Sequence, residues 1–306
     1  MQNRVRIFFK AMIPSVKRQQ RIEFMMKLHF IKMHSAGNDY IYMDCTDFMP
    51  QDPTNMAKAL SQRHFSIGSD GLVLILPSRH ADARMQMFNA DGSMGSMCGN
   101  AVRCIGKYLF DSGKVRKTDI LIETECGIRQ LKVSHGSTHA RTVSADMGFA
   151  AFHPKDVPIV SDTELIEKDI LANGITLRLT ALSIGNPHAV IFYDSLDRIE
   201  PQYIGPLLEH HPLFPERTNA EFVCISAPDT ITVRVWERGS GETLACGSGA
   251  CAAVAAAVRT GRMKVSIPIN VRMPGGPLTV ICEPDYHLTL SGICETAFEG
   301  EVFYPA

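Results

Sequence analysis

A constant offset of 148 residues governs this chain. Gly37-Asn38-Asp39 recurs as Gly185-Asn186-Pro187, and Met97-Cys98-Gly99-Asn100 recurs as Ala245-Cys246-Gly247-Ser248. The same shift carries Gly113-Lys114 onto Gly261-Arg262 and Gly127 onto Gly275. Solenoid repeats have periods of only about 20 to 50 residues, so four pairs at one longer spacing describe two similar domains of about 140 residues each. A length of 306 residues suits that division, because a single hydrophobic core rarely grows beyond ~250 to 300 residues.

Within each half the order is strands, a Cys-Gly loop, a helix, then more strands. The alternating stretch Ile231 to Arg238 and the short apolar run Leu72 to Leu76 read as strands. The segment after Cys98 is helical until Ser112-Gly113-Lys114, where a glycine stop and a basic residue mark a C-terminus. Its counterpart after Cys246 ends at Gly261, and from Cys251 to Val258 it is apolar on every face, which predicts a helix buried on all sides. Helical segments are too few for regular βαβ alternation. The expected class is therefore α+β: two pseudo-symmetric domains, each a mixed sheet curled around a central helix.

Composition narrows the function. The chain balances 31 Lys and Arg against 32 Asp and Glu, which leaves no basic footprint for nucleic acid. The longest comparable apolar run, Ala250 to Val258, has nine residues, far below the roughly 18 to 20 of a membrane span. Nine cysteines in a chain this long do not form a disulfide framework; they point to a reducing, cytoplasmic setting with thiols available for chemistry. Residues 1–26 carry six basic residues and one acid and are read as lying outside the fold, an extension upstream of a true start at Met25 or Met26. An arginine-rich transit sequence is the alternative reading. Without this lead, 25 basic residues face 31 acidic ones, a net charge near −6.

In each half the cysteine stands at the start of its helix, where unpaired N–H groups and the positive dipole end lie. That placement predicts a lowered thiol pKa. It also makes anion sites of the amides of Gly99 and Asn100 and of Gly247 and Ser248, with glycine allowing close approach. If the halves face each other, two thiols converge on one bound carboxylate. Such a cleft suits removal of an amino acid's α-proton from one face and its return on the other, with no metal or pyridoxal cofactor required. The other seven cysteines read as core packing.

Several segments carry a resemblance to a known family: Lys32 to Tyr40, Gly68 to Leu72, Phe88 to Cys104, Gly185 to His188, Phe214 to Phe222 and Glu237 to Ala252. From about Met26 onward the chain resembles diaminopimelate epimerases, within the wider group that includes cofactor-independent proline racemases. The resemblance implies that Cys98 and Cys246 are the catalytic pair. It implies that Gly99, Asn100, Gly247 and Ser248 hold the α-carboxylate and amine, and that Asn38, Asn89, Asn186, Asn219, Glu237 and Arg238 line the site. Several of these would hold the distal amino-acid end of diaminopimelate, Arg238 as a fork for its carboxylate and Glu237 with the asparagines as acceptors. His34 and His188 are read as supporting residues.

The resemblance further implies that the segment after about Gly292 returns to the first domain, giving domains of 27–143 plus 293–306 and 144–292. It implies a homodimer acting on a small-molecule amino acid, without cofactor, metal, nucleic acid or membrane. Two positions depart from the family pattern: Gly71 stands where some members carry Gln, and Ala101 where many carry Gly. Rival readings are a histidine- or proline-type racemase on the same scaffold, a thiol redox or metal-binding protein, and a binding domain that has lost catalysis.

Overall fold

The computed structural model describes residues 25–95, 97–136 and 139–305. These divide into two compact units, one holding the described residues up to Ser35, Asp39–Arg141 and the segment from Cys294 on, the other Ala36–Asn38 and Thr142–Ile293. The first contains β1 (Met25–Ser35), β2 (Asn38–Asp44), α1 (Pro53–Leu60), β3 (Gly71–Leu76), β4 (Ala83–Asn89), β5 (Met94–Gly95), α2 (Gly99–Asp111), β6 (Asp119–Thr124) and β7 (Gly127–His135). The second contains β8 (Ala140–Phe149), β9 (Lys168–Ala172), β10 (Ile175–Ser183), β11 (Pro187–Phe192), α3 (Pro201–Glu209), β12 (Asn219–Ala227), β13 (Thr230–Glu237) and β14 (Gly241–Thr243). It continues with α4 (Gly247–Arg259), β15 (Ile269–Met273), β16 (Gly276–Cys282) and β17 (His287–Gly292); β18 (Glu295–Pro305) completes the first unit.

The 148-residue offset is structural. Helices α2 and α4 keep it at both ends. The parallel pair β2–β3 aligns Tyr40 with Gly71, and β11–β12 aligns His188 with Asn219. The hairpins β4–β5 and β13–β14 keep the shift as well, Met87 facing Gly95 and Val235 facing Thr243. In both units a parallel pair, an antiparallel pair and a second parallel pair follow one another in the same order, through β4–β6 and β13–β15. At the ends the units differ: β18 pairs with β1, whereas β8 pairs with β17. Strand β1 starts at Met25, opposite Pro305. The last two residues assigned from sequence to the basic lead thus belong to the strand, and residues 1–24 lie outside the described residues.

Cover on both faces explains the apolar runs. On β3, Leu72 and Leu74 pack in a cluster with Met56, Ala57 and Leu60 of α1, and Val73 on the opposite face is also fully buried. A strand covered on both sides reads as continuous hydrophobicity rather than alternation. In the second unit α3 covers one face through Leu208, and α4 contacts β10, β11, β12, β13, β16 and β17. Ala250 to Ala257 are wholly buried. Small side chains of high helix propensity let a sheet close tightly around that axis.

The glycine stop after α2 is confirmed at Gly113, whose φ is 73°. Lys114 beyond it reaches Asp44 at 2.6 Å, and Tyr108 Oη donates to the same carboxylate at 2.6 Å. Burial alone would raise the Asp44 pKa, but hydrogen bonds from Lys114, Thr46 and Tyr108 hold it down to about 2. A depressed carboxylate pKa stabilises the fold above the unfolded value near pH 4, and that stability is lost as pH falls through the folded value. Asp44→Asn is therefore expected to cost on the order of 2 kcal/mol at pH 7 in urea denaturation. The gap to the parent should close as pH is lowered from about 4 to about 2.

Candidate active site

Cys98 and Cys246 occupy equivalent N-cap positions, with extended backbones (φ −139°, ψ 120° and φ −123°, ψ 120°). Each is set there by a short hairpin, β4–β5 or β13–β14, that turns the chain into the helix. The first-turn residues Gly99, Asn100 and Gly247 are buried, Ser248 half-buried. None of the nine cysteines is in a disulfide; Cys98 is half-buried and Cys246 is 7% exposed.

Around Cys246 the surroundings are dense. Its Sγ accepts from Gly249 N–H at 3.3 Å and lies 3.4 Å from Ser248 Oγ. The Glu237 carboxylate lies near the thiol and accepts from Thr243 Oγ1. Burial pushes the Cys246 thiol well above its ordinary range, and the nearby Glu237 and, less, Glu221 carboxylates push the same way; Ser248 and Gly249 N–H only partly oppose them. The lowered pKa expected from the helix dipole is thus overturned at this cysteine, because desolvation and two acids outweigh the first-turn amides. Glu237 is itself raised by burial.

His188 and Glu221, both fully buried, are joined at 2.7 Å, and His188 Nε2 lies 3.1 Å from Asn186 Oδ1. A Cβ at Gly249 would stand 2.9 Å from Glu221 Oε1 and 3.4 Å from the Cys246 sulfur, so this glycine lets the thiol and the carboxylate share one space. Asn219, 4% exposed, accepts from Arg238 N–H at 2.8 Å. Arg238 is exposed; its Nη1 donates to Glu216 O at 2.7 Å, and no carboxylate of the described residues is in ion-pair range of it.

The first unit is built differently around the same frame. Asn100 Oδ1 accepts from Nη2 of Arg103, a fully buried guanidinium whose Nε also donates to Gly99 O at 3.0 Å. Arg103 thereby braces the helix turn that follows Cys98. Asn89 donates to Ser93 Oγ at 2.9 Å within a tight turn, where Asp91 also binds Ser93 and Gly92 has φ 82°. Asn38 opens β2, at the position equivalent to Asn186. His34 lies 3.6 Å from Glu295.

Both departures from the family pattern have a physical reading. A Cβ at Gly71 would stand 2.1 Å from Phe88 O and 3.0 Å from the Tyr40 ring, so this packing leaves no room for a side chain there. Ala101 is an ordinary buried helical residue that accepts from Tyr42 Oη at 3.4 Å. Among the cysteines read as packing, Cys104 and Cys294 are neighbours and both are buried. Glu221, Thr243 and Arg103 are contacts that sequence reasoning missed. Only Glu221 left a trace, as an acid inside the otherwise apolar strand Ala220 to Val223. Among the described residues no group of three His, Cys, Asp or Glu side chains is placed to hold a metal ion, and no helix is long and apolar enough to cross a membrane.

Comparison with known proteins agrees with this frame. Solved structures of a probable proline racemase from Agrobacterium radiobacter and a hydroxyproline epimerase from Agrobacterium vitis share the fold, with TM-scores of 0.68 and 0.67 at 17% and 16% identity. They cover 89% and 92% of this chain and 92% and 93% of their own lengths. Diaminopimelate epimerases from Acetivibrio thermocellus and Methanococcus maripaludis are 46% and 44% identical over 277 residues. Each alignment covers 90% of this chain, and 98% or 99% of the relative. A family model described as diaminopimelate epimerase matches residues 30–153 and 180–295, which takes in both cysteine loops. On that match and those relatives, the chain belongs to the diaminopimelate epimerase family.

Proposed function

We propose that this chain interconverts LL- and meso-diaminopimelate with two sulfurs, Cys98 and Cys246, one removing the α-proton and the other supplying a proton to the opposite face, with no added cofactor. The observation that carries the reading is the pair of cysteines at equivalent helix N-caps, in a chain of this family. One sulfur, as thiolate, takes the α-proton from one face and the other, as thiol, returns a proton to the opposite face. The first-turn amides of Gly99, Asn100, Gly247 and Ser248 hold the α-carboxylate and stabilise the charge that develops on it.

The surroundings of Cys246 suggest its state at rest. With burial and then the nearby Glu237 carboxylate disfavouring the thiolate, Cys246 waits as the protonated partner, which leaves Cys98 as the base of the pair. The transfer exchanges these states, and the return half-reaction restores them. Arg238, with Asn38, Asn89, Asn186 and Asn219 around the site, receives the distal amino-acid end. A site that offers those polar groups rejects a plain amino acid, which would leave them unpaired. The same reading includes a homodimer and a reducing, cytoplasmic setting that keeps both thiols reduced.

The test is a substrate panel in deuterated water. Reduced protein without added cofactor is expected to incorporate α-deuterium into diaminopimelate and to interconvert its isomers, followed by mass spectrometry and chiral chromatography. Absence of exchange would remove the mechanism. Exchange on histidine or proline but not diaminopimelate would keep the mechanism and overturn the substrate.

A further inference from the structure

Glu209 is the last residue of α3 and only 4% exposed. A carboxylate is poorly placed at a helix C-terminus, where the dipole is negative, and acids are rarely buried unless paired. Its partners account for both. Glu209 Oε2 accepts from Trp236 Nε1 at 2.7 Å, and Oε1 accepts from Gly239 N–H at 2.9 Å and Arg217 Nη1 at 3.4 Å. Burial would raise its pKa, but these bonds bring it below the usual carboxylate value, so the group is ionised.

Trp236 and Gly239 bracket Glu237 and Arg238 in the chain. The turn is pinned once more, by Asn219 Oδ1 on Arg238 N–H at 2.8 Å. Packing closes it: a Cβ at Gly205 of α3 would stand 2.3 to 2.7 Å from Trp236 atoms, so glycine is what lets the helix lie against the indole. None of this belongs to the duplicated scaffold. At the equivalent positions the first unit has Ser61 for Glu209, Phe88 for Trp236 and Asp91 for Gly239, a set with no indole N–H and no acid on the helix end.

We propose that Glu209 is a positioning residue for substrate recognition: through Trp236 and Gly239 it fixes the turn that presents Arg238 to the distal carboxylate of the substrate. This inference rests on the diaminopimelate reading above. Glu237 in the same turn keeps a second anchor on Thr243, so loss of Glu209 should fall on binding more than on proton transfer.

Trp236 is the single tryptophan of the chain, which makes its emission a direct readout of this contact. In the parent protein, diaminopimelate is expected to change that emission saturably. In Glu209→Gln the resting emission should shift, and KM and the half-saturation of the fluorescence change should both rise about tenfold, since small misplacements of a substrate-positioning group carry penalties of that order or more. The kcat should stay within about threefold, the pattern of lost binding rather than lost chemistry. Trp236→Phe, which keeps a ring and deletes the donor, should raise KM in the same direction if Glu209→Gln fails to fold. Unaltered KM in both variants, or lower thermal stability with unaltered KM, would assign Glu209 to folding alone and overturn the proposal. If the parent neither binds nor turns over diaminopimelate, the functional reading fails separately. The clamp is then judged by amide exchange at Gly239, and unchanged protection in Glu209→Gln overturns it.

Discussion

Cys246→Ser is expected to retain the fold and lose kcat by about two to four orders of magnitude, the range in which a positioned acid or base contributes. The two effects separate because the sulfur has two tasks. As N-cap it accepts from Gly249 N–H, and serine is among the best residues for that task, so helix α4 should lose little. As proton carrier it must alternate between thiol and thiolate, and a hydroxyl does not ionise in the accessible pH range. Cys246→Ala should lose the same activity and additionally about 0.5 to 2 kcal/mol of stability, the usual cost of deleting a cap. Cys98→Ser should match the loss in kcat. Exchange of α-deuterium distinguishes the two sites: with Cys246 resting as the thiol, Cys98→Ser should abolish abstraction from one isomer, and Cys246→Ser abstraction from the other. Measured rates of exchange starting from LL- and from meso-diaminopimelate check this. Equal residual exchange from both isomers in both variants would exclude a two-thiol mechanism.

The fold was legible largely because duplication writes the same constraints twice. The constant offset located both helix starts, the apolar run Leu72 to Leu76 marked a strand, and the apolar Cys251 to Val258 signalled a helix enclosed on all sides. Helices α1 and α3 went unread. Their signal is only a proline at the first turn, Pro53 after Asp52 and Pro201 after Glu200, and a helix of eight or nine residues shows barely two turns of periodicity. In the site, spacing pointed to the two cysteines at equivalent helix starts, whereas Arg238 came in only through the family resemblance. What spacing does not carry is burial. Whether a cysteine at a helix N-terminus is acidified depends on what stands opposite it, and at Cys246 that is Glu237, nine residues back in the chain, and Glu221 on the neighbouring strand. His188 likewise is an ordinary histidine by sequence and becomes half of a fully buried pair with Glu221 only when parallel β11 and β12 are laid side by side.

Mild oxidation should abolish activity completely and reversibly by joining Cys98 to Cys246. If both sulfurs serve one α-carbon, each lies about 3 to 3.5 Å from it in a reactive complex. On that condition the two sulfurs can meet at the disulfide bond length of about 2.05 Å once the substrate has left. Peroxide supplies the balance: two thiols lose two hydrogens, one disulfide forms, and the peroxide leaves as two waters. Half-buried Cys98 is attacked first, and Cys246, 7% exposed, resolves the oxidised sulfur from inside. The competing pair is Cys104 and Cys294, neighbours but only 0% and 3% exposed, so an aqueous oxidant reaches it last. Three results are expected together: a mass lower by two hydrogens, a peptide joining Cys98 to Cys246, and recovery of activity with a dithiol reductant. Bound diaminopimelate should slow the loss by keeping the sulfurs apart. Inactivation with both thiols still reduced, or with a disulfide only between Cys104 and Cys294, would show that Cys98 and Cys246 do not share one substrate carbon.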